Sequence, residues 1–182
     1  MKETLIAVDE QYMKLFYQVY IDVCEKSEFE QSKQYIQHGD TTVYEHSINV
    51  AYRAMCMAVA LGKTGHLEEL VRGALLHDYF LYDWHEKDAG HKLHGFYHPQ
   101  VALKNASRHF DLSKREQVII KRHMFPLTPV PPTSVEAYLV CMADKVCSVQ
   151  ETFHTKEIRL RFHSIIQEAH RIRQVGWVEY SI

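Results

Sequence analysis

Val71-Arg72-Gly73-Ala74-Leu75-Leu76-His77-Asp78 carries an apolar helical run straight into an imidazole and a carboxylate. With 13 His among 182 residues and eight Asp, about 0.6 His-Asp pairs are expected by chance, so the dipeptide matters only through its context. That context is a series: His46 precedes the pair, and His98, His123 and Asp144 follow it. Together the six residues supply nitrogen and oxygen ligands for two metal ions.

Outward from this stretch, apolar residues recur at three- and four-residue intervals, and alternating strand-like runs are scarce, so the fold reads as nearly all α. A first helix is expected over 9–26, with Tyr12, Leu15, Phe16, Val19 and Val23 on one face. The Gly39-Asp40-Thr41-Thr42 turn caps a second, Val43 to Leu61, which Gly62 stops. A third runs from His66 to Asp78, and the glycine-containing segment Tyr79 to Tyr97 reads as an irregular loop. Pro99 suits the first turn of a helix reaching about Phe110, and Ser113 caps the next, ending at His123. Pro126, Pro129, Pro131 and Pro132 then forbid regular structure. Thr133 or Ser134 caps a long helix to about Phe153, and a last one covers Thr155 to Gln174. The expectation is one compact all-α helical bundle over 1–182, with its core at about 43–153 and flanking helices at 9–26 and 155–174.

At 46% hydrophobic the chain can bury a core without disulfides. Lys+Arg 21 against Asp+Glu 23 leaves a formal charge of -2, so no global basic field recruits DNA or RNA. Cys24, Cys56, Cys141 and Cys147 sit in apolar helical stretches without Cys-x-x-Cys spacing, which suits buried thiols in a reducing cytoplasm. No apolar run nears the roughly 20 residues of a membrane span, and nothing marks secretion or anchoring.

Asp144 stacks beneath Val140 and Cys141 on an apolar helical face, where an uncompensated carboxylate is expensive. Lys145 projects about 100° away around the helix, so a metal ion is the better expected partner. His46 sits on a core-facing stripe continued by Val50, Ala54, Met57 and Leu61. His77 and Asp78, as adjacent helical residues, diverge by about 100°, so one can ligate a single ion while the other bridges two. Imidazole and carboxylate ligands without thiolate suit Mn, Fe, Co, Ni, Zn or Mg. Arg53 returns to the His46 face two turns later, and Lys121 and Arg122 flank His123; each can reach a substrate phosphate or remain solvated. Asp83 can orient a ligand histidine or relay a proton, or simply cap the loop.

Order and spacing resemble the HD-domain superfamily of metal-dependent phosphohydrolases over roughly Val43 to Phe153. Tyr44-Glu45-His46-Ser47 resembles its first-ligand helix, Ala74-Leu75-Leu76-His77-Asp78 its eponymous pair, and Ala143-Asp144-Lys145 its closing aspartate segment. The resemblance implies that His46, His77, Asp78 and Asp144 hold one ion. It further implies that Asp78 bridges to a second ion on His98 and His123, with metal-bound hydroxide attacking phosphorus. His94 is an alternative to His98, which is preferred because Val101, Ala102 and Asn105 continue a helix from it. His94 and Lys145 join Arg53, Lys121 and Arg122 as candidate substrate contacts, with Asp78 and Asp83 as catalytic candidates.

The expected partner is a small phosphate ester or anhydride, nucleotide-like, with no membrane and no nucleic acid; a homo-oligomer is compatible with the sequence. Two alternatives stand beside hydrolysis: a di-iron oxygenase, which the same ligands suit, and a noncatalytic metal- or nucleotide-binding regulatory module. The basic residues Lys156, Arg159, Arg161, Arg171 and Arg173, interleaved with apolar ones, read as the wet side of an amphipathic helix.

Overall fold

In a computed structural model, which describes residues 9–84, 93–153, 164–169 and 171–172, the chain is mostly helical. Asp9 caps α1 (Glu10–Lys26), its carboxylate accepting from the Gln11 amide at 3.3 Å. That helix buries Phe16, Val19 and Val23 of the expected face together with Tyr17, Tyr20 and Cys24, while Tyr12 and Leu15 are half-buried. A short 3-10 helix (Phe29–Gln34) leads into a two-stranded antiparallel hairpin, β1 (Ile36–His38) and β2 (Thr41–Thr42). Gly39 turns it at φ 56°, a conformation glycine adopts without penalty. The hairpin corrects the expectation of a simple capping turn here, since strands of three and two residues are too short to carry a period.

Helix α2 (Val43–Ala60) starts with a reciprocal capping box: the Thr42 hydroxyl accepts from the Glu45 amide while Glu45 accepts from the Thr42 amide. Gly62, at φ 64°, follows its end. Helix α3 (Leu67–Leu75) packs on α1, α2 and α5. At Gly73 a Cβ would lie 2.9 Å from Ile119 Cγ2, so glycine permits the close approach of α3 to α5. The expected extension of α3 to Asp78 is wrong. The helix stops at Leu75, and His77 and Asp78 occupy the turn that follows.

Helix α4 (His94–Ala106) also departs from expectation, because it begins five residues before Pro99 rather than at it. Proline has no N–H to give the Gly95 carbonyl, so the early turns of α4 lack that hydrogen bond. Helix α5 (Lys114–Arg122) has a second capping box from Ser113 and Glu116. The proline-rich connection includes a cis Phe125-Pro126 bond. Helix α6 (Val135–Phe153) then begins with the Ser134 hydroxyl accepting from the Ala137 amide.

Helices α2, α3, α5 and α6 share one core containing Ala51, Met55, Leu70, Leu75, Ile119, Ile120 and Val140. Residues 164–169 and 171–172 are helical, and Ala169 and Ile172 reach the same core. The rest of the expected Thr155 to Gln174 helix, with Lys156, Arg159, Arg161 and Arg173, lies outside the described residues. Arg171 is exposed and paired with Glu168, as expected for a solvated face. The four cysteines are free thiols, three of them buried. No described helix is long and apolar enough to cross a membrane.

Candidate metal centre

Five elements bring the six residues of the series together. Helix α2 supplies His46, the turn after α3 supplies His77 and Asp78, and α4 supplies His98. His123 stands at the C-cap of α5, and Asp144 lies midway along α6. All six are buried, none more than 6% exposed. The ligand atoms of His46, His77 and Asp144 lie within 4.8 Å of one another, as do those of His77, Asp78 and His123.

Asp78 is the hub. Its Oδ2 lies 3.4 Å from His77 Nε2 and 3.8 Å from His46 Nε2, while its Oδ1 lies 3.1 Å from His98 Nε2 and 3.4 Å from His123 Nε2. Each carboxylate oxygen thus faces its own pair of histidines.

The imidazoles are held by their far sides. His77 Nδ1 donates to the Ala74 carbonyl at 2.7 Å, His98 Nδ1 to that of His94 at 3.0 Å, and His123 Nδ1 to that of Ile120 at 2.8 Å. A carbonyl only accepts, so these bonds place the ring hydrogen on Nδ1 and leave Nε2 as a lone pair in the neutral ring. His98 Nε2 and His123 Nε2 are 2.8 Å apart. His77 Nε2 and Asp78 Oδ1 have no hydrogen-bond partner among the described residues. Buried lone pairs converging without donors cost free energy unless a cation lies among them. The donor set therefore fits divalent metal: nitrogen and oxygen only, with the second ring nitrogens already anchored.

His46 is held differently, its Nδ1 lying 2.7 Å from Glu151 Oε2, while Asn49 donates to Glu151 Oε1 at 2.7 Å. Its Nε2 is 3.2 Å from Asp144 Oδ1. Burial opposes charge on His46, but Glu151 and Asp144 outweigh it and raise its pKa well above the ordinary 6.5. Burial dominates at His77 and lowers its pKa to about 4. Burial also opposes ionisation of Asp78, Asp144 and Glu151, yet the neighbouring histidines hold all three below the usual carboxylate range.

Lys145 Nζ lies 3.1 Å from Asp144 Oδ2 and donates to the His123 carbonyl at 2.6 Å. A 100° offset between adjacent residues constrains the Cβ directions, not the tip of a four-carbon side chain. Lys145 therefore does pair with Asp144, although its 40% exposure limits what the pair contributes.

A cavity of about 690 Å³ opens onto the centre, lined by Asp78, His98, Asp144 and Lys145, and by Gln37, His38, Trp84, His94, Phe96, Met124 and Leu127 among others. His94 stacks between Trp84, at 5.1 Å and 12°, and His98, at 4.5 Å and 17°. Tyr82 meets its Nδ1 at 3.0 Å. Of the two histidines the sequence offers, His98 is the one whose Nε2 points at Asp78, and His94 forms the cavity wall outside it.

Arg53, Asp83, Lys121 and Arg122 are not among the residues lining the cavity. Arg53 instead joins α2 to α6 by donating to Gln150 at 2.6 Å, and Lys121 is exposed. Four residues that the sequence did not single out also stand at the site: Gln37, His38, Asn49 and Glu151. Gln37 donates to Asp78 Oδ2 at 2.6 Å. Glu151 was discoverable, since it follows Asp144 by two helical turns on the same buried face.

Searches of curated proteins and of solved structures find no match. A protein-family comparison, in contrast, matches residues 43–148, from the start of α2 to Ser148 beside the cavity, with the description HD domain. The match covers more than half of the chain and contains all six converging residues, and the chain belongs to the HD domain family.

Proposed function

We propose that the chain is a cytoplasmic, metal-dependent phosphohydrolase that cleaves an ester or anhydride bond in a small, nucleotide-like phosphate. The observation that supports this best is the pair of carboxylate oxygens on Asp78, each facing two anchored imidazoles, beside a cavity large enough for such a substrate. His46, His77, Asp78 and Asp144 would hold one divalent ion, and Asp78, His98 and His123 a second. Bound ions of this kind supply Lewis acidity toward phosphoryl oxygens and lower the pKa of water.

The chain's own side chains do the rest. The carbonyls of Ala74, His94 and Ile120 fix three ring orientations, and Glu151 fixes that of His46. Gln37 holds one Asp78 oxygen and restricts rotation of the carboxylate. Lys145 Nζ, partly exposed at the cavity wall, is placed to pair with a phosphate oxygen. The Trp84–His94 stack offers a flat face to a planar group on the substrate. Asp83, Arg53, Lys121 and Arg122 stand outside the cavity lining.

Hydrolysis is tested with a panel of phosphate esters and anhydrides, comparing the chelated protein with protein supplied with Mn, Co, Ni, Mg or Fe. Phosphate release that depends on added metal and is equal with and without oxygen is expected. Turnover that requires oxygen would replace this reading with the di-iron oxygenase. Ligand-induced melting shifts without turnover under any metal would replace it with a binding module.

The raised pKa of His46 yields a further expected result. The shift favours the doubly protonated ring in the metal-free protein, and a cation must displace the Nε2 proton. Proton and metal compete, so affinity rises with pH until the folded-state pKa is passed. The charged ring's contribution to metal-free stability runs the other way: it is fully present below pH 6.5 and lost as pH rises through the raised value. Calorimetric titration of metal into chelated protein at pH 7, in buffers of different ionisation enthalpy, should show proton release from this ring. Buffer-independent heats would contradict it.

A further inference from the structure

The outer face of α6 is unlike that of a solvated helix. Its outward residues are Val135, Tyr138, Met142, Val146, Val149, Thr152 and Phe153, and none is charged; Lys145, whose side chain is 40% exposed, turns to Asp144 and the cavity instead. The charges of α6 all serve elsewhere: Glu136 meets Arg115, Asp144 and Lys145 lie at the metal centre, and Glu151 holds His46. An outer stripe that is uncharged and, Thr152 aside, apolar belongs on a buried helix. It runs about 27 Å at 1.5 Å per residue. At 36% to 75% exposure per apolar side chain, it amounts to roughly 500–600 Å² of apolar surface, the upper end for a patch on a monomer.

The order of the stripe names the occupant. Counted from Met142, its members lie at minus seven, minus four, plus four and plus seven, followed by Phe153 at plus eleven. That pattern is symmetric about Met142, so an antiparallel copy of the same helix presents a matching face. Met142 then meets its own counterpart on the two-fold axis, Tyr138 meets Val146, and Val135 meets Val149. An isologous contact requires this self-matching. Two such patches approach 1,000 Å² before any surrounding rim is counted, near the lower bound for a specific interface. We propose that a second copy of this chain docks on α6, forming a two-fold dimer with Met142 on its axis. The inference does not depend on the proposed activity.

Sedimentation equilibrium of the full chain over micromolar concentrations tests it. The wild type should be a dimer, as should Met142→Leu. Met142→Glu places two carboxylates together without counter-charge and should raise the dissociation constant at least about a hundred-fold. Val149→Lys, off the axis, should also weaken the dimer, which covers the case of Met142→Glu failing to fold. Circular dichroism and metal content should be unchanged in variants that fold, because these side chains point away from the centre. Met142→Cys should form an oxidised peptide joined to itself at position 142. A monomeric wild type would overturn the proposal, and the face would then belong to residues 154–163 of the same chain or to a different protein. A dimer unaffected by both charged variants would overturn it as well.

Discussion

Asp78→Ala should lower metal-dependent phosphate release by at least about a thousand-fold while leaving the helical circular dichroism intact. A two-metal centre supplies several kcal/mol of transition-state stabilisation, and each tenfold in rate corresponds to about 1.4 kcal/mol. Asp78 is the residue whose loss should forfeit nearly all of it, because one oxygen faces His46 and His77 and the other faces His98 and His123. Among the described residues no other carboxylate faces all four of these rings. The substitution also leaves the buried Gln37 amide without its acceptor, at about 1–3 kcal/mol of stability. That loss is tolerable for a domain of this size, so inactivity should be seen in folded protein. Wild-type rates in Asp78→Ala would remove the mechanism altogether.

Glu151→Ala should weaken metal binding by about 10–100-fold, the usual effect of deleting the group that orients a ligand histidine. The carboxylate is fully buried, lies 2.7 Å from His46 Nδ1 and accepts from Asn49. Its removal frees the His46 ring to rotate and leaves two buried donors unpaired. Glu151→Gln keeps the shape and one acceptor while discarding the charge, so its loss should be smaller. Metal titration monitored by competition with a chromophoric chelator separates the three proteins. Equal affinities would mean that Glu151 is only a packing element.

The contrast between Asp78 and Glu151 shows what the sequence discloses. His46, Asp144 and the His77-Asp78 pair stand out because helical periodicity places polar groups at the ends or on the inner faces of apolar runs. Glu151 obeys the same rule, following Val140, Asp144 and Cys147 on the buried face of α6, and was legible in principle. Gln37 was not. It sits in a three-residue strand with no measurable period, and its reach to Asp78 exists only once the hairpin is folded against α2 and α6.

Helix ends were the other limit. The apolar pattern of α3 continues to Leu76, but the backbone turns after Leu75, and this turn, rather than helical divergence, sets the relation between His77 and Asp78. In α4 the proline suggested a start, whereas His94 and His98 must share a helix for their rings to stack and for His98 Nδ1 to reach the His94 carbonyl. Lys145 exposes a third limit, since Cβ geometry says little about where a long, flexible amine ends.

Elemental analysis of protein prepared without chelator addresses the shared metal centre most directly, with wild type and Asp78→Ala measured side by side. The wild type should hold roughly two divalent ions per chain, and Asp78→Ala should retain few or none. A folded wild type that binds no metal, or an Asp78→Ala protein that binds as much as the wild type, would contradict it.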